Sequence, residues 1–373
     1  MSYTFAGMSS PQKRTWVALG LSFALLASGE LRAEGIADCG LEPPGMHLAP
    51  PVRSRPKELL STAGEPPRVV RLRSNRSPFL AGGLPSARLR SGALTGKTVY
   101  VGAGHGFYAN GSSKWATQRG NTNGIVEDLV STEVASQYLI PLLLNAGATV
   151  VPVREFDTNP NLVIVDDAAP GYSESGDPAA FSDSSDAAYG APALPLTNGV
   201  NPFELGRNRL MESTVGATPT ASATWVPDVP EAGEYNVYVS YTQFTHRVPD
   251  AHFVVRHAGG EAHFRINQRR HGSTWVFLGR FHFRAGASPE RGAVVALNDS
   301  TVQGNVSLDA VRLGGGMGLQ DTRGGGTSGR PRFEESARYH AQFAGAPESV
   351  YDNPNYDDRT DDVSARSRFV DWE

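Results

Sequence analysis

The sequence predicts an incomplete α/β unit of the strand–helix–strand type, followed by an all-β antiparallel sandwich. Residues 98–154 contain a β-branched strand, a long pattern of helical periodicity and a second strand, which is the order of a parallel βαβ unit. From residue 163 to about residue 313, the chain holds only short alternating strands with turn signals between them. Strands at such close spacing are typical of an antiparallel sandwich.

The composition limits the number of domains, the expected partners and the possible disulfides. The 373 residues allow about two to three domains, and 39% hydrophobic with 9% aromatic residues are enough to form packed cores. The net charge of −4 gives no global basic field, so nucleic acid is not expected as a partner. The single cysteine, Cys39, cannot form an intramolecular disulfide or a cysteine-based zinc knot.

Residues 1–33 are predicted to be a secretory signal peptide. Two basic residues, Lys13 and Arg14, precede the apolar run 15–26, and small residues before position 33 offer a cleavage site. The run is too short to span a bilayer comfortably, and no other stretch is long and apolar enough to do so. We therefore expect a secreted or periplasmic protein without a transmembrane segment after cleavage. The alternative is that the run forms a buried core helix.

Residues 34–92 are predicted to be a linker, because they are rich in proline and arginine and show no sustained helical or strand period. Such tracts are usually solvated spacers. The alternative is a cationic tether that binds an anionic cell-wall polymer or lipid surface.

The first structured unit is predicted to cover residues 93–160. Its strand at Thr98-Val99-Tyr100-Val101 is followed by apolar residues at helical spacing from Ile125 to Asn145. Pro141 lies inside this pattern and predicts a kink or a break, and Gly147 stands where a C-terminal cap glycine belongs. Residues 148–154 form the second strand, so the two strands are expected to lie parallel.

The sandwich is predicted to cover residues 163–316. Gly259-Gly260 marks a hairpin turn by its composition. Trp225, Tyr241 and Trp275 fall in the strand patterns and are expected in the core, with stacking on sugar rings as the alternative. The strands with the strongest alternation are predicted at 234–241, 252–257, 262–266, 274–283 and 293–297.

Residues 317–373 are predicted to be a glycine-rich linker that returns to the first unit. Two glycine triplets, 314–316 and 324–326, indicate a spacer, and residues 334–343 indicate a short helix. The segment from residue 348 onward is acidic and is predicted to be rich in turns.

The sharpest candidate for chemistry is Gly104-His105-Gly106, directly after the first strand. Parallel sheets place their sites at the carboxyl ends of strands, and Glu127 opens the following helix. Together, His105 and Glu127 would form part of a hydrolytic zinc site, which needs about three protein ligands. The alternative is that His105 is a hydrogen-bonded turn residue.

Three stretches of this unit resemble the zinc-dependent N-acetylmuramoyl-L-alanine amidases, in which a strand ends in a Pro-Gly-His-Gly-Gly-like loop and a glutamate opens the next helix. The resemblance covers about residues 94–157 and implies that His105 and Glu127 are two Zn²⁺ ligands. Gly102-Ala103 stands where the family has Asp-Pro, and Glu133, deeper in the helix, is the rival carboxylate. The matching stretches are 99–106 (VYVGAGHG), 124–130 (GIVEDLV) and 142–154 (LLLNAGATVVPVR).

Six stretches of the β-rich part resemble the golvesin C-terminal or xanthan-lyase-type carbohydrate-binding-like domain. This resemblance covers about residues 163–316 and implies a domain inserted after the second strand of the first unit. The stretches are 165–168, 223–227, 233–238, 255–260, 266–268 and 308–312.

The amidase resemblance implies a third zinc ligand and a catalytic glutamate later in the chain, but no matching motif follows Arg154. His340 has different surroundings and is expected on a helix surface. The chain is therefore expected to be truncated or degenerate, and weakly active or inactive by itself. Six further histidines, at 246, 252, 257, 263, 271 and 282, lack ligand spacing and are expected at the surface or in hydrogen bonds rather than in a metal cluster.

Three functions follow, of which the third is a surface scaffold. The first is an exported zinc amidase that hydrolyses the MurNAc–L-Ala bond of peptidoglycan, with zinc polarising the carbonyl and activating water. The second is a non-catalytic protein that binds peptidoglycan or another cell-envelope polysaccharide through the β-sandwich.

Overall fold

The computed structural model describes residues 92–95, 97–110, 114–321 and 326–373. The predicted signal peptide, Cys39, nearly all of the predicted linker and the glycines at 324–325 lie outside these residues. The strands, in chain order, are β1 (Thr98–Val101), β2 (Tyr108–Asn110), β3 (Lys114–Ala116), β4 (Thr149–Pro152), β5 (Val163–Val165), β6 (Tyr172–Ser175), β7 (Phe181–Ala188), β8 (Leu196–Thr197), β9 (Gly206–Glu212), β10 (Thr214–Val215), β11 (Ser222–Trp225), β12 (Gly233–Val239), β13 (Ala251–His257), β14 (Gly260–Ile266), β15 (Val276–Phe283), β16 (Ala293–Leu297), β17 (Asp299–Ser300), β18 (Asn305–Leu308), β19 (Val311–Leu313) and β20 (Gln320–Asp321).

Helices occur on both sides of the β-rich part. None of those described is long and apolar enough to span a membrane. The α-helices are α1 (Glu127–Val134), α2 (Ile140–Asn145), α3 (Ala337–Phe343), α4 (Glu348–Tyr351) and α5 (Asp358–Trp372). A π-helical segment, Ala135–Leu139, joins α1 to α2, and 3₁₀ turns cover Pro178–Ala180, Pro202–Glu204 and Arg332–Glu334.

β1 and β4 form a two-stranded parallel sheet, as the strand–helix–strand order predicts. Thr98 pairs with Thr149, and the register continues to Val101 and Pro152. Antiparallel pairing dominates elsewhere, and the described chain is mostly β-sheet with little helix. The α/β amidase fold as a whole remains a prediction.

The helical run between these strands continues through Pro141 without a break. Proline has no N–H to donate, and its ring clashes with the carbonyl of residue i−4, here Gln137. The wider π-helical turn directly before α2 accommodates this clash. The run then ends at Gly147, whose φ of +87° suits glycine, with Gly147 N donating to Leu144 O and Ala148 N to Leu143 O. The predicted cap is confirmed.

The predicted apolar stripe of this helix is only partly buried. Val130, Val134 and Leu142 are 40%, 43% and 49% exposed. The buried face carries Thr132 and Asp128, because Thr132 Oγ1 accepts a hydrogen bond from the buried Arg154. This hydrogen bond thus lies on the face of the helix that turns inward.

The predicted antiparallel sandwich is confirmed. One sheet has five strands in the order β14-β13-β16-β11-β6, and the other has four in the order β15-β12-β19-β5. Alternate residues of both sheets meet in one core, which includes Trp225, Phe253, Val237 and Leu278. A three-stranded sheet, β18-β9-β7, adds Met211 and other residues to this core.

The aromatic residues expected in the core are buried. Trp225 is 1% exposed, Tyr241 0% and Trp275 9%. The predicted hairpin joins β13 to β14, and His257 pairs with Gly260, so the two turn residues are Ala258 and Gly259. The turn lies one residue earlier than its glycine pair indicates.

The glycines at 314–316 are packed rather than part of a spacer, which corrects the sequence-based interpretation. A Cβ on Gly314 would lie 2.1 Å from Asn161 O, and one on Gly315 would lie 2.3 Å from Asp157 O. Gly316 N donates to Asn159 O at 2.9 Å. The chain therefore enters and leaves the sandwich along two adjacent segments, and glycine allows their backbones to approach.

The prediction of turns throughout the acidic C-terminal segment is wrong, because α5 covers Asp358–Trp372. Asp357 caps this helix by accepting a hydrogen bond from Thr360 N. Asp361 and Asp362 are fully buried and accept hydrogen bonds from the backbone N–H groups of Asn353 and Ala337. Acidic residues that the sequence assigns to solvent thus hold the helix in place. The helix predicted at 334–343 begins at Ala337.

Candidate functional site

His105 lies in the loop after β1, at the carboxyl end of the parallel sheet. Its Nδ1 is 3.0 Å from Asp362 Oδ2 and 3.2 Å from Arg366 Nη2, both on α5. Asp362 Oδ2 also accepts a hydrogen bond from Gln118 Nε2 at 3.2 Å. The imidazole is therefore oriented by a helix that the sequence does not predict, 257 residues away along the chain.

Arg154, at the end of β4, fixes the loop that carries His105. Its buried guanidinium donates to the carbonyl of His105, to Thr132 Oγ1 at 2.8 Å and to the carbonyls of Phe333 and Glu335, each at 2.9 Å. Burial lowers the pKa of Arg154 to about 10. Arg154 thus has a structural role, joining β1, α1 and the segment before α3.

Glu127 is the first residue of α1, as predicted, but it is directed to solvent. Its side chain is 70% exposed, and its Oε2 lies 3.9 Å from Nε of Arg119. This exposed pair contributes little stability.

The two predicted ligands are fewer than the about three protein ligands that a catalytic zinc site needs. Nδ1 of His105 lies 3.0 Å from Asp362 Oδ2, a contact that leaves Nε2 as the ring nitrogen for a ligand, whereas Glu127 is directed to solvent. Within the described residues, no group of three or more His, Cys, Asp or Glu side chains could hold a metal ion. We derive no hydrolytic step through zinc.

We expect the purified chain to retain less than about 0.1 zinc per chain after incubation with ZnCl₂ and dialysis, because two ligands hold zinc weakly. Metal analysis measures this, and His105→Ala should leave the content unchanged. One zinc per chain that is lost in His105→Ala and Glu127→Ala would contradict the expectation and support the amidase resemblance.

His340 is half-buried and faces α5, which corrects the expectation of a helix-surface position. Its ring packs against Phe369 of α5 at 5.7 Å, and burial lowers its pKa to about 3. Its Nδ1 has no hydrogen-bond partner within the described residues. The α3–α5 contact, absent from the sequence prediction, accounts for this burial.

Two sandwich histidines form hydrogen bonds, as expected. His252 Nδ1 lies 2.7 Å from Asp299 Oδ1, and His252 Nε2 lies 3.0 Å from His263 Nδ1. Burial and the neighbouring His252 lower the pKa of His263. This chain of polar groups joins β13, β14 and β17.

An aromatic surface lies at one end of the sandwich, in the turn between β12 and β13. Phe244 is 42% exposed and is the one exposed Phe, Tyr or Trp side chain in residues 163–321. The ring of His246 stacks on it at 5.4 Å with an interplanar angle of 18°. We call these two rings, together with the turn at 243–247, the Phe244 platform.

The Phe244 platform is held from beneath by Arg247. This buried residue donates to Asp186 Oδ2 at 2.7 Å and to Thr242 Oγ1 at 3.0 Å. Its guanidinium carbon lies 5.3 Å from the centroid of the Phe244 ring. The rings are therefore preorganised.

The loop between β14 and β15 packs beside the platform. Gly272 N donates to Gln243 Oε1 at 3.0 Å, and Arg269 Nε donates to the Arg247 carbonyl at 2.7 Å. Tyr241 Oη donates to the carbonyl of Arg270 at 2.8 Å. Two loops thus form one surface of rings, amides and guanidinium groups.

Residues 197–315 match the model of the Golvesin C-terminal domain. The chain contains a Golvesin C-terminal domain. This match lies within the range 163–316 that the sequence resemblance assigns to the family. It includes the Phe244 platform and the β14–β15 loop beside it. The amidase resemblance of residues 94–157 remains a prediction.

A xanthan lyase from Bacillus sp. (strain GL1) is 33% identical over 110 residues, which are 29% of this chain and 11% of that protein. The chain thus matches about a tenth of that relative's length.

Two solved structures are also similar. A Paenibacillus xanthan lyase shares 28% identity over 42% of this chain and 13% of its own, with a TM-score of 0.32. A family 35 carbohydrate binding module from Clostridium thermocellum shares 16% identity over 40% of this chain and 97% of its own, with a TM-score of 0.26. At these TM-scores neither structure bears on the domain assignment, which rests on the family match.

Strand periodicity does not single out Phe244. The aromatic residues within the strand patterns are buried, because alternation selects core positions. The available signal was a phenylalanine between two strands, in the polar run Gln243-Phe244-Thr245-His246. A large apolar residue in a polar turn has no strand neighbours to cover it.

Proposed function

We propose that this chain is an exported polysaccharide-binding protein that binds cell-envelope polysaccharide, peptidoglycan included, through the Phe244 platform of its Golvesin C-terminal domain. The exposure of Phe244 carries the proposal, because every other Phe, Tyr and Trp ring of the sandwich is buried or half-buried. Export is supported by the signal-peptide pattern of residues 1–33.

The platform has the chemistry of a sugar-binding surface. The apolar face of a pyranose ring packs on an aromatic ring, and its hydroxyl groups need nearby donors and acceptors. Gln243, Thr245 and His246 are exposed beside the ring and supply polar groups of both kinds. Because Arg247 and the neighbouring loop already fix the turn, little conformational entropy is lost on binding.

Amidase activity is not part of this proposal, because the described residues do not complete a zinc site. The α/β unit packs into the same body as the sandwich. Val150 and Ile140 share one buried cluster with Trp275 and Phe277. The α/β unit therefore contributes buried side chains to a core that it shares with the sandwich.

Phe244→Ala is expected to weaken polysaccharide binding at least about tenfold, because it removes the stacking surface. Sedimentation with purified peptidoglycan sacculi and electrophoresis in gels that contain soluble polysaccharide would measure this. Its matched control is Tyr356→Ala, which removes a ring that is 44% exposed in the C-terminal part. Undiminished binding by Phe244→Ala would overturn the platform as the binding site.

A further inference from the structure

The loop beside the Phe244 platform carries cationic groups that lack carboxylate partners. Arg269 and Arg270 are both exposed. No ion pair joins either of them to a carboxylate within residues 92–95, 97–110, 114–321 and 326–373. Arg256 of β13, by contrast, is paired with Glu261 at 3.0 Å.

The carboxylates that contact these two loops already have partners. Asp186 accepts a hydrogen bond from the buried Arg247, and Glu373 lies 3.2 Å from Nδ1 of His271. Asp250 accepts hydrogen bonds from Ser300 Oγ and Thr301 N. These carboxylates are therefore engaged by groups other than Arg269 and Arg270.

The side chain of Arg269 is held in place by a hydrogen bond. Its Nε donates to the carbonyl of Arg247, which ends the turn that carries Phe244. Its backbone N donates to Asn267 Oδ1 at 3.0 Å, which fixes the start of its loop. A guanidinium that is hydrogen-bonded through Nε still has its two terminal nitrogens available to a ligand. The N–H groups of these two nitrogens match the two oxygens of a carboxylate.

We infer that the polysaccharide bound at the Phe244 platform is acidic, with carboxylate-bearing sugars such as uronates. One ring stacks on Phe244 while the carboxylate of the same or the next sugar pairs with Arg269. Arg270 adds to the positive field. This inference rests on the proposed function and specifies its ligand class.

The test compares two polymers that differ only in charge: a polyuronate and its carboxyl-reduced derivative, in which each uronate has become the neutral sugar. At low salt, the chain should bind the polyuronate at least about fivefold more tightly, and added salt should erase this preference. Affinity electrophoresis in gels that contain either polymer would measure both dissociation constants.

Arg269→Gln should weaken binding to the polyuronate about fivefold and leave binding to the reduced polymer unchanged. Phe244→Ala should weaken binding to both. The matched control is Arg291→Gln, which removes an exposed arginine from the β15–β16 connection and changes net charge equally. Thermal unfolding of each variant checks that the fold is intact.

Each outcome separates the two proposals. Equal affinity for both polymers, or an equal loss in Arg291→Gln, would overturn the acidic ligand while leaving polysaccharide binding standing. Absence of binding to both polymers and to sacculi would overturn the proposed function itself. A preference for phosphate-bearing polymers over the polyuronate would overturn the assignment of carboxylates.

Discussion

Glu155→Ala is expected to destabilise the chain by about 3–5 kcal/mol, the usual cost of leaving a buried charge without its partner. Glu155 follows β4, and its Oε2 accepts hydrogen bonds from the fully buried Arg312 of β19 and from Arg332 at 3.3 Å. Burial alone would raise the pKa of Glu155, but the two guanidinium groups outweigh it and hold the pKa at about 2. Without Glu155, two guanidinium groups remain buried and uncompensated.

Urea unfolding followed by circular dichroism would measure the loss, which is a large part of the 5–15 kcal/mol typical of natural domains. Glu261→Ala serves as the control, because its ion pair with Arg256 is exposed and should contribute less than about 1 kcal/mol. A loss below about 1 kcal/mol in Glu155→Ala would mean that water or rearranged side chains replace the carboxylate.

The Glu155 cluster explains why the sandwich does not stand apart from the α/β unit. Its three charged residues come from the end of β4, from β19 and from the 3₁₀ turn before α3. Aromatic rings cover it, with Tyr238 4.2 Å from the guanidinium carbon of Arg312 and Phe343 3.6 Å from that of Arg332. Binding experiments should therefore use the whole chain, because an excised sandwich would lose this ion cluster and part of its core.

The strands and the first unit could be predicted because their signals are local. Alternation identified β12 to β16 to within a few residues, and Gly147 marked its helix end by a conformation that glycine favours. The helix α5 could not be predicted, because its acidic residues are stabilised by distant partners. Asp362 accepts from Ala337 N, and Asp358 pairs with Arg338 at 3.1 Å.

In the candidate sites, too, local patterns predict the positions of residues but not their long-range contacts. The positions of His105 after β1 and of Glu127 at the start of α1 follow from the sequence. The contact of His105 with Asp362 depends on how a C-terminal helix packs, which no local pattern encodes. The Phe244 platform depends on a partly buried salt bridge between Arg247 and Asp186, 61 residues apart. Sequence patterns locate elements, whereas long-range polar contacts decide which side chains meet.

Asp309→Asn is expected to stabilise the chain near neutral pH. Asp309 precedes β19 and is fully buried, with its carboxylate oxygens near Tyr189 N at 3.1 and 3.3 Å and bonded to Ser240 Oγ. Burial, reinforced by the charges of Asp166 and Asp167, raises its pKa from the ordinary 3.8 to about 8. An asparagine has the same shape and accepts the same backbone hydrogen bond without a charge.

The sign of the pH dependence follows from this shift. Below about pH 4, Asp309 is protonated in both the folded and the unfolded chain, so it causes no pH dependence. Between about pH 4 and 8 the unfolded chain loses this proton while the folded chain keeps it, so the free energy of unfolding falls as the pH rises. Above about pH 8 both states are ionised and the loss is complete. At pH 7 the cost is on the order of 4 kcal/mol.

The difference in unfolding free energy between Asp309→Asn and the parent chain should therefore be small at pH 4 and grow steadily to about pH 8. Other buried carboxyls shape both curves, since burial raises the pKa of Asp157 to about 6 and that of Glu335 to about 7. Subtracting the two curves isolates Asp309. Asp228→Asn, at an exposed carboxyl, is the control. A variant that is less stable than the parent at pH 7 would show that Asp309 is ionised in the folded chain and that its hydrogen bonds outweigh burial.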